Sequence, residues 1–325
     1  MRKVVFIIFF IVIIFVAFVT LVNRRQEGTQ EETKDAWQEI RQSDIAKTYG
    51  GWGSPVLVEP ASTAGWEDGA YISSDGTTLY FVYINVDLFK LPEVVETGSK
   101  RDSKCKPACG NYPRIDTFFS QKDNSVNWDK VNPHPLTISY PVGGIVLANE
   151  NKAYFHMEKE DGLKTEIYFS EKTGENWQSP QKIASLSSVF KDDDPYVSPN
   201  DNELFFWSDR PGKGDNDIFY SKKINNQWQT PVLLSAPINT SSNDMQPFLQ
   251  GNTLYFTSDR SGKAKIYQSE RTGENQWSEP SVVIESSFVV GEPTLTQDGR
   301  FLYFVQIFKS PEGIYNSDIF YVEKK

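Results

Sequence analysis

The chain has 325 residues, of which 38% are hydrophobic and 14% aromatic, with 33 basic and 43 acidic side chains. Four of the basic residues and none of the acidic ones precede position 26, so the remainder carries a net charge of −14, which disfavours a nucleic-acid partner where no basic stripe is found. Eight Trp, 15 Tyr and 22 Phe are too many for a disordered acidic tail and point to a folded, β-rich body.

Residues 4–22 hold no charge, and as a helix they would rise about 28 Å, close to the thickness of a hydrocarbon core. The run is longer than a signal-peptide core and no small-x-small site follows it. Residues 1–25 therefore read as an uncleaved signal-anchor, a single transmembrane helix, with a cleaved signal peptide as the alternative. Residues 26–49 are polar, with Ala36, Trp37, Ile40 and Ile45 in a short helical pattern, and read either as a stalk or as a helix docked on the domain.

From residue 50 to 325 the chain repeats with a period of roughly fifty residues. An aromatic doublet recurs at Tyr80-Phe81, Tyr154-Phe155, Phe205-Phe206, Tyr255-Phe256 and Tyr303-Phe304. A second strand follows each, as in Asp217-Ile218-Phe219-Tyr220-Ser221, and then a Trp at 128, 177, 228 and 277. The fifth Trp, Trp52, stands ahead of every other landmark, and the chain ends without a Trp segment. Residues 52–59 are thus expected to pair with residues 317–323 and complete the last unit, which removes a bare sheet edge. The expectation is an all-β fold, a five-bladed β-propeller of four-stranded antiparallel blades, the last closed by the N-terminal strand.

At the best copies, Asp194-Pro195-Tyr196-Val197-Ser198-Pro199-Asn200-Asp201 with Ser208-Asp209-Arg210, and Leu254-Tyr255-Phe256 with Ser258-Asp259-Arg260, the sequence resembles the PD40 repeat. That is the WD40-like β-propeller repeat of TolB-type bacterial envelope proteins. The resemblance covers the third and fourth units well, and the first and second poorly: the second has Gly143-Gly144 where Asp-Pro would fall. It implies the fold more than a function.

The first unit carries an insertion over residues 91–115 with both cysteines, Cys105 and Cys109. A zinc site needs more ligands and a redox pair prefers C-x-x-C, so the spacing reads as a disulfide staple, with two free thiols as the alternative. A staple fits an oxidising compartment and so places the domain outside the cytoplasm.

The insertion and the inter-unit connections are expected to share one face of the ring. The candidate binding residues there are Asp68, Asp192, Asp193, Asp194, Asp244, Gln246 and Glu292, which enter innermost strands, with Arg210 and Arg260 of the Ser-Asp-Arg segments. Those segments also read as turn chemistry in which each Arg neutralises a nearby acid. Calcium on Asp192 and Asp194 is the one cofactor the cluster suggests, although consecutive residues cannot all face one point. The leading reading is an anchored, non-catalytic binding module for a protein, peptide or glycan. The alternative is glycoside hydrolysis, since five-bladed glycosidases use two Asp and one Glu at the channel mouth, types that Asp68, Asp194 and Glu292 supply. Two departures count against it: that family's Glu comes from the fourth blade, where this chain has Gln246, and a sialidase-like box at Ser170–Trp177 carries Lys172 in place of Asp.

Overall fold

The computed structural model describes residues 30–62, 66–84, 116–122, 128–129, 131–159, 164–311 and 315–325. The apolar segment 4–22 and the insertion 91–115, with Cys105 and Cys109, lie outside the described residues. Among those described, no helix is long and apolar enough to cross a membrane.

The described strands form sheets of five, five, six and eight strands, antiparallel but for one parallel bridge of Ser317 to Trp66, and each repeat runs outward from an inner strand. The inner strands are Trp66–Ile72, Val142–Asn149, Asp192–Val197, Asp244–Gln250 and Val289–Leu295, and they touch one another in cyclic order, the fifth against the first. The expected closure is present: strand Val56–Leu57 pairs with Tyr315–Glu323 in the fifth unit, Val56 opposite Tyr321 and Leu57 opposite Phe320, and Trp52 bridges Lys324. Tyrosines stitch neighbouring units at the centre. The Tyr71 hydroxyl donates to Leu147 O at 3.2 Å, and that of Tyr196 to Leu249 O at 2.5 Å.

The aromatic doublets lie on the second strands, which are covered on both faces by adjacent units. Phe81, Tyr154, Phe155, Phe205, Phe206, Phe256, Tyr303 and Phe304 are accordingly buried. The recurring Trp has a partner that the repeat alone did not reveal. In every unit it stands opposite a basic residue across a tight hairpin or bridge, Lys122–Trp128, Lys172–Trp177, Lys223–Trp228, Arg271–Trp277 and Lys324–Trp52. In each pair the cation lies over the indole, between 4.4 Å (Lys223) and 5.5 Å (Lys324) from the ring centroid. Trp128 and Trp228 also meet the doublet of the preceding unit edge-on, at Tyr303 and Tyr154, so the cross-strand pair wedges one unit against the next. Lys172, out of place in a sialidase box, has this packing role.

Residues Gln30–Ser43 form helix α1, docked on the ring. Trp37 is 1% exposed, and Arg41 makes a bidentate pair with Asp318, Nε to Oδ2 at 2.7 Å and Nη2 to Oδ1 at 2.6 Å. Gln306 brackets the exit of the helix, accepting from Ala46 N and donating to Asp44 O. Residues Lys47–Thr48 then add a short strand to the outer edge of the fourth unit. The N-terminal segment therefore fastens the fourth unit to the fifth where the chain ends would otherwise part.

Asp318 is 0% exposed, and removing its partner leaves a buried, uncompensated charge. Arg41→Ala is expected to lower the stability of the ring by about 3–5 kcal/mol in urea denaturation, and adding Asp318→Asn should recover part of the loss.

Candidate active site

Every inner strand breaks register at the same place. The shifts fall between Asp68 and Tyr71, Gly143 and Val146, Asp193 and Tyr196, Met245 and Phe248, and Gly291 and Thr294. At each bulge one residue adopts left-handed backbone: Gly69 (φ 59°), Gly144 (57°), Asp194 (43°), Gln246 (54°) and Glu292 (58°). Glycine does this without strain, whereas each of the three side-chain-bearing residues costs on the order of 1–3 kcal/mol that the surrounding sheet must impose. Proline follows the bulge in the last three units (Pro195, Pro247, Pro293), where the interrupted ladder leaves no N–H to be missed. All five bulges line one cavity of about 400 Å³, open mouth included, together with Tyr71, Tyr196 and Phe248. Those three rings also border a larger, separate depression at the opposite mouth.

Glu292, 9% exposed, reaches across units. Its Oε2 accepts from Ala70 N at 3.2 Å, its Oε1 accepts from Gln246 Nε2 at 2.9 Å, and its carboxyl hydrogen-bonds Asp68. Two carboxyls can share such a bond only if one is protonated. Burial, then the charges of Asp68 and Asp194, hold the Glu292 carboxyl well above its ordinary range. Asp194, in the third unit, is pushed up to about 6 by burial and by adjacent Asp193, against the lowering pull of His156. Each Asp is oriented by an indole: Trp66 Nε1 donates to Asp68 at 3.2 Å and Trp207 Nε1 to Asp194 at 2.7 Å.

Behind Asp194 lies a charge-balanced cluster. His156 pairs with Asp193 through Nδ1, and Lys191 Nζ lies 2.6 Å from the other Asp193 oxygen and over the Trp207 ring. Burial alone would raise the Asp193 carboxyl, but His156 and Lys191 outweigh it and hold it well below the usual range; His156 is raised in turn, Asp193 overcoming its desolvation. This explains Gly143-Gly144. A Cβ on Gly143 would stand 2.3 Å from His156 Nε2, and one on Gly144 2.9 Å from Nδ1, so the imidazole occupies the room that a side chain at either position would need; in register the pair matches Asp193-Asp194, not Asp-Pro. One ligand atom each of His156, Asp193 and Asp194 lies within 4.8 Å of the others, but a cation there would have to displace the Lys191 ammonium from Asp193.

Several expected face residues are turned inward instead. Asp192 accepts from Arg210 Nε at 3.0 Å and from Ser208 Oγ at 2.8 Å, with Ser188 on its other oxygen, so it shares no site with Asp194 and the expected calcium pair is not assembled. The cause is the bulge: regular alternation would send Asp192 and Asp194 to one side, but the register breaks after Asp193 and the left-handed backbone at Asp194 turns its side chain to the axis. Asp244 is held likewise by Arg260 Nη2 at 2.7 Å, Ser258 and Thr240. Arg210 also binds Leu186 O, and Arg260 binds Pro237 O, so both tie inter-unit connections rather than facing a ligand. The structure thus gathers Asp68, Asp194, Gln246 and Glu292 at the axis and assigns Asp192, Asp244, Arg210 and Arg260 to the frame. His156, Lys191, Trp66 and Trp207 escaped the sequence reading. The double glycine was the one signal that something bulky stood opposite.

No protein-family model matches the chain, the PD40 repeat included, and no curated protein matches it. Among solved structures, a glycoside hydrolase superimposes with a TM-score of 0.53 at 11% identity, over 91% of this chain and 96% of its own. A thermostable family-43 glycoside hydrolase gives 0.50 at 11% identity, over 81% and 92%. The fold is that of a β-propeller. A putative TolB from Agrobacterium tumefaciens also matches, with a TM-score of 0.44 at 13% identity over 86% of this chain and 90% of its own.

The raised Glu292 carboxyl sets a pH dependence with a definite sign. The folded state keeps a proton that the unfolded chain releases near 4.5, so this group weakens the fold as pH rises from there to the folded value. Glu292→Gln should therefore stabilise the protein by about 0.5–2 kcal/mol near pH 8 and by nothing near pH 4, read as melting temperature against pH.

Proposed function

We propose that the chain is a five-bladed β-propeller hydrolase of glycosides, with Glu292 as general acid and Asp194 as the carboxylate that serves the opposite side of the bond. The observation that carries this reading is the buried Glu292 on a strained bulge, beside Asp68 and facing a chamber that Asp194 also enters, with its carboxyl raised by burial and by those two acids. Glycoside cleavage needs one carboxyl that keeps its proton at neutral pH and a second that is ionised there. Both are raised by their surroundings, Asp194 only to about 6 and Glu292 well above its ordinary range, so Asp194 is the carboxylate left to ionise at neutral pH. Asp68 is hydrogen-bonded to Glu292, too near for the separation an opposed acid and base require, and acts as the group that keeps the Glu292 proton in place. The likeness of fold to glycoside hydrolases supports the same reading.

Strained backbone at three carboxylate or amide positions suits a ligand clamp as well as a reacting centre, so it supports a working chamber, and the raised Glu292 carboxyl is what favours cleavage over binding alone. The acid migrates by one unit from the expected fourth position, where Gln246 stands, to the fifth. The surrounding frame is proposed to lie outside the cytoplasm, anchored through residues 4–22, with Cys105 and Cys109 bonded in the oxidising medium. An envelope or extracellular polysaccharide is the fitting substrate. Nucleic acid does not suit a body of this charge.

The test is release of sugar from a panel of aryl furanosides, aryl pyranosides and polysaccharides. Glu292→Gln should lower kcat by about 10²–10⁴-fold in a protein that melts no earlier than the unsubstituted one. Activity of the unsubstituted protein should rise through a limb near pH 6 as Asp194 ionises, and fall at higher pH as Glu292 loses its proton. Failure of that protein to release sugar across the whole panel would remove the hydrolase reading.

A further inference from the structure

Gln246 and Glu292 occupy the same bulge position in neighbouring units, both in left-handed backbone. Their contact is reciprocal. Gln246 Nε2 donates to Glu292 Oε1 at 2.9 Å, and Gln246 Oε1 accepts from the Glu292 backbone N–H at 3.2 Å. An amide is the side chain that can do both at once, since a carboxylate cannot donate and an apolar group can do neither. The residue between them is fitted to the contact: a Cβ on Gly291 would come 2.7 Å from Gln246 Oε1 and push the amide away. Thr257 Oγ1, at 3.2 Å from the same N–H, completes the cradle. With Ala70 N on Oε2, the carboxyl is gripped at both oxygens and at its own main chain, so it cannot turn about its last torsion.

We infer that Gln246 is a positioning residue for Glu292: it fixes the plane of the Glu292 carboxyl and supplies the donor against which that carboxyl gives up its proton. The catalytic part of this role rests on the hydrolase reading, while the hold on the proton rests on the contact alone. The charged groups facing Glu292 are Asp68 from the first unit and Asp194 from the third, both acidic, so Gln246 Nε2 and Ala70 N are what favour the ionised form. Losing one of two such donors makes the proton harder to release.

The experiment uses the full-length protein in detergent micelles. The infrared difference between it and Glu292→Gln, followed through pH, gives the titration midpoint of Glu292, and the same difference is taken in the Gln246 background. In Gln246→Met the midpoint should rise by roughly one pH unit, the worth of a donor to a charged group. Gln246→Glu, which replaces the donor with a like charge, should raise it as well and serves if the Met variant fails to fold. With 4-nitrophenyl furanosides as probes, the alkaline limb of kcat/KM should move up by the same amount. An unmoved midpoint in a folded variant overturns the inference. A shifted midpoint in a protein that cleaves no probe supports it and places the failure in the hydrolase reading.

Discussion

The bulge that interrupts all the inner strands at one level is the constraint on which the site depends. Without it, alternation along a strand would send successive side chains to opposite faces, and the acids entering the ring would be divided between the axis and the unit interfaces. With it, Asp193 pairs sideways with Lys191 and His156 while Asp194 turns to the axis. Repeated around the ring, the same step points Gly69, Gly144, Asp194, Gln246 and Glu292 at one chamber. Two of these are glycines: Gly144 leaves room for His156, and Gly69 packs against Val82, where a Cβ would come within 3.0 Å. The chamber is therefore uneven: acidic where Glu292 and Asp68 share a proton, buffered by cations behind Asp194.

Strained backbone persists only where the surroundings over-determine it. The frame supplies that through repeated cross-strand pairs at the rim, each a cation over a tryptophan, and through aromatic second strands buried between units. Closure supplies the rest. Strand Val56–Leu57 completes the fifth unit and Lys47–Thr48 extends the fourth, so the seam between chain ends is bridged twice, with the Arg41–Asp318 pair above it.

Much of the frame was legible in the residues because it repeats. The doublets, the Trp segments and the misplaced Trp52 fixed the phase of the units and the manner of closure, and the Ser-Asp-Arg turns read correctly as turn chemistry once their identity between units was noticed. What was not legible is local and singular. The lysine or arginine opposite each Trp varies in spacing and type, so it forms no visible motif. A bulge has no signature in a run such as Asp-Asp-Asp-Pro, and without it Asp192 and Asp194 read as a pair. His156 occurs once and is seen indirectly, through the two glycines that make room for it. The site lies where the repeat departs from itself, at Gln246 and Glu292, and departures cannot be aligned.

Taken together, the geometry describes a carboxyl whose hold on its proton is strengthened by burial and by two acidic neighbours. The most direct measurement is the ¹³C titration of the Glu292 side-chain carboxyl in the full-length protein and in Asp68→Asn. The account predicts a protonated Glu292 at neutral pH, with a midpoint that falls when the Asp68 charge is removed. A Glu292 already ionised at neutral pH, with a midpoint indifferent to Asp68, would contradict it.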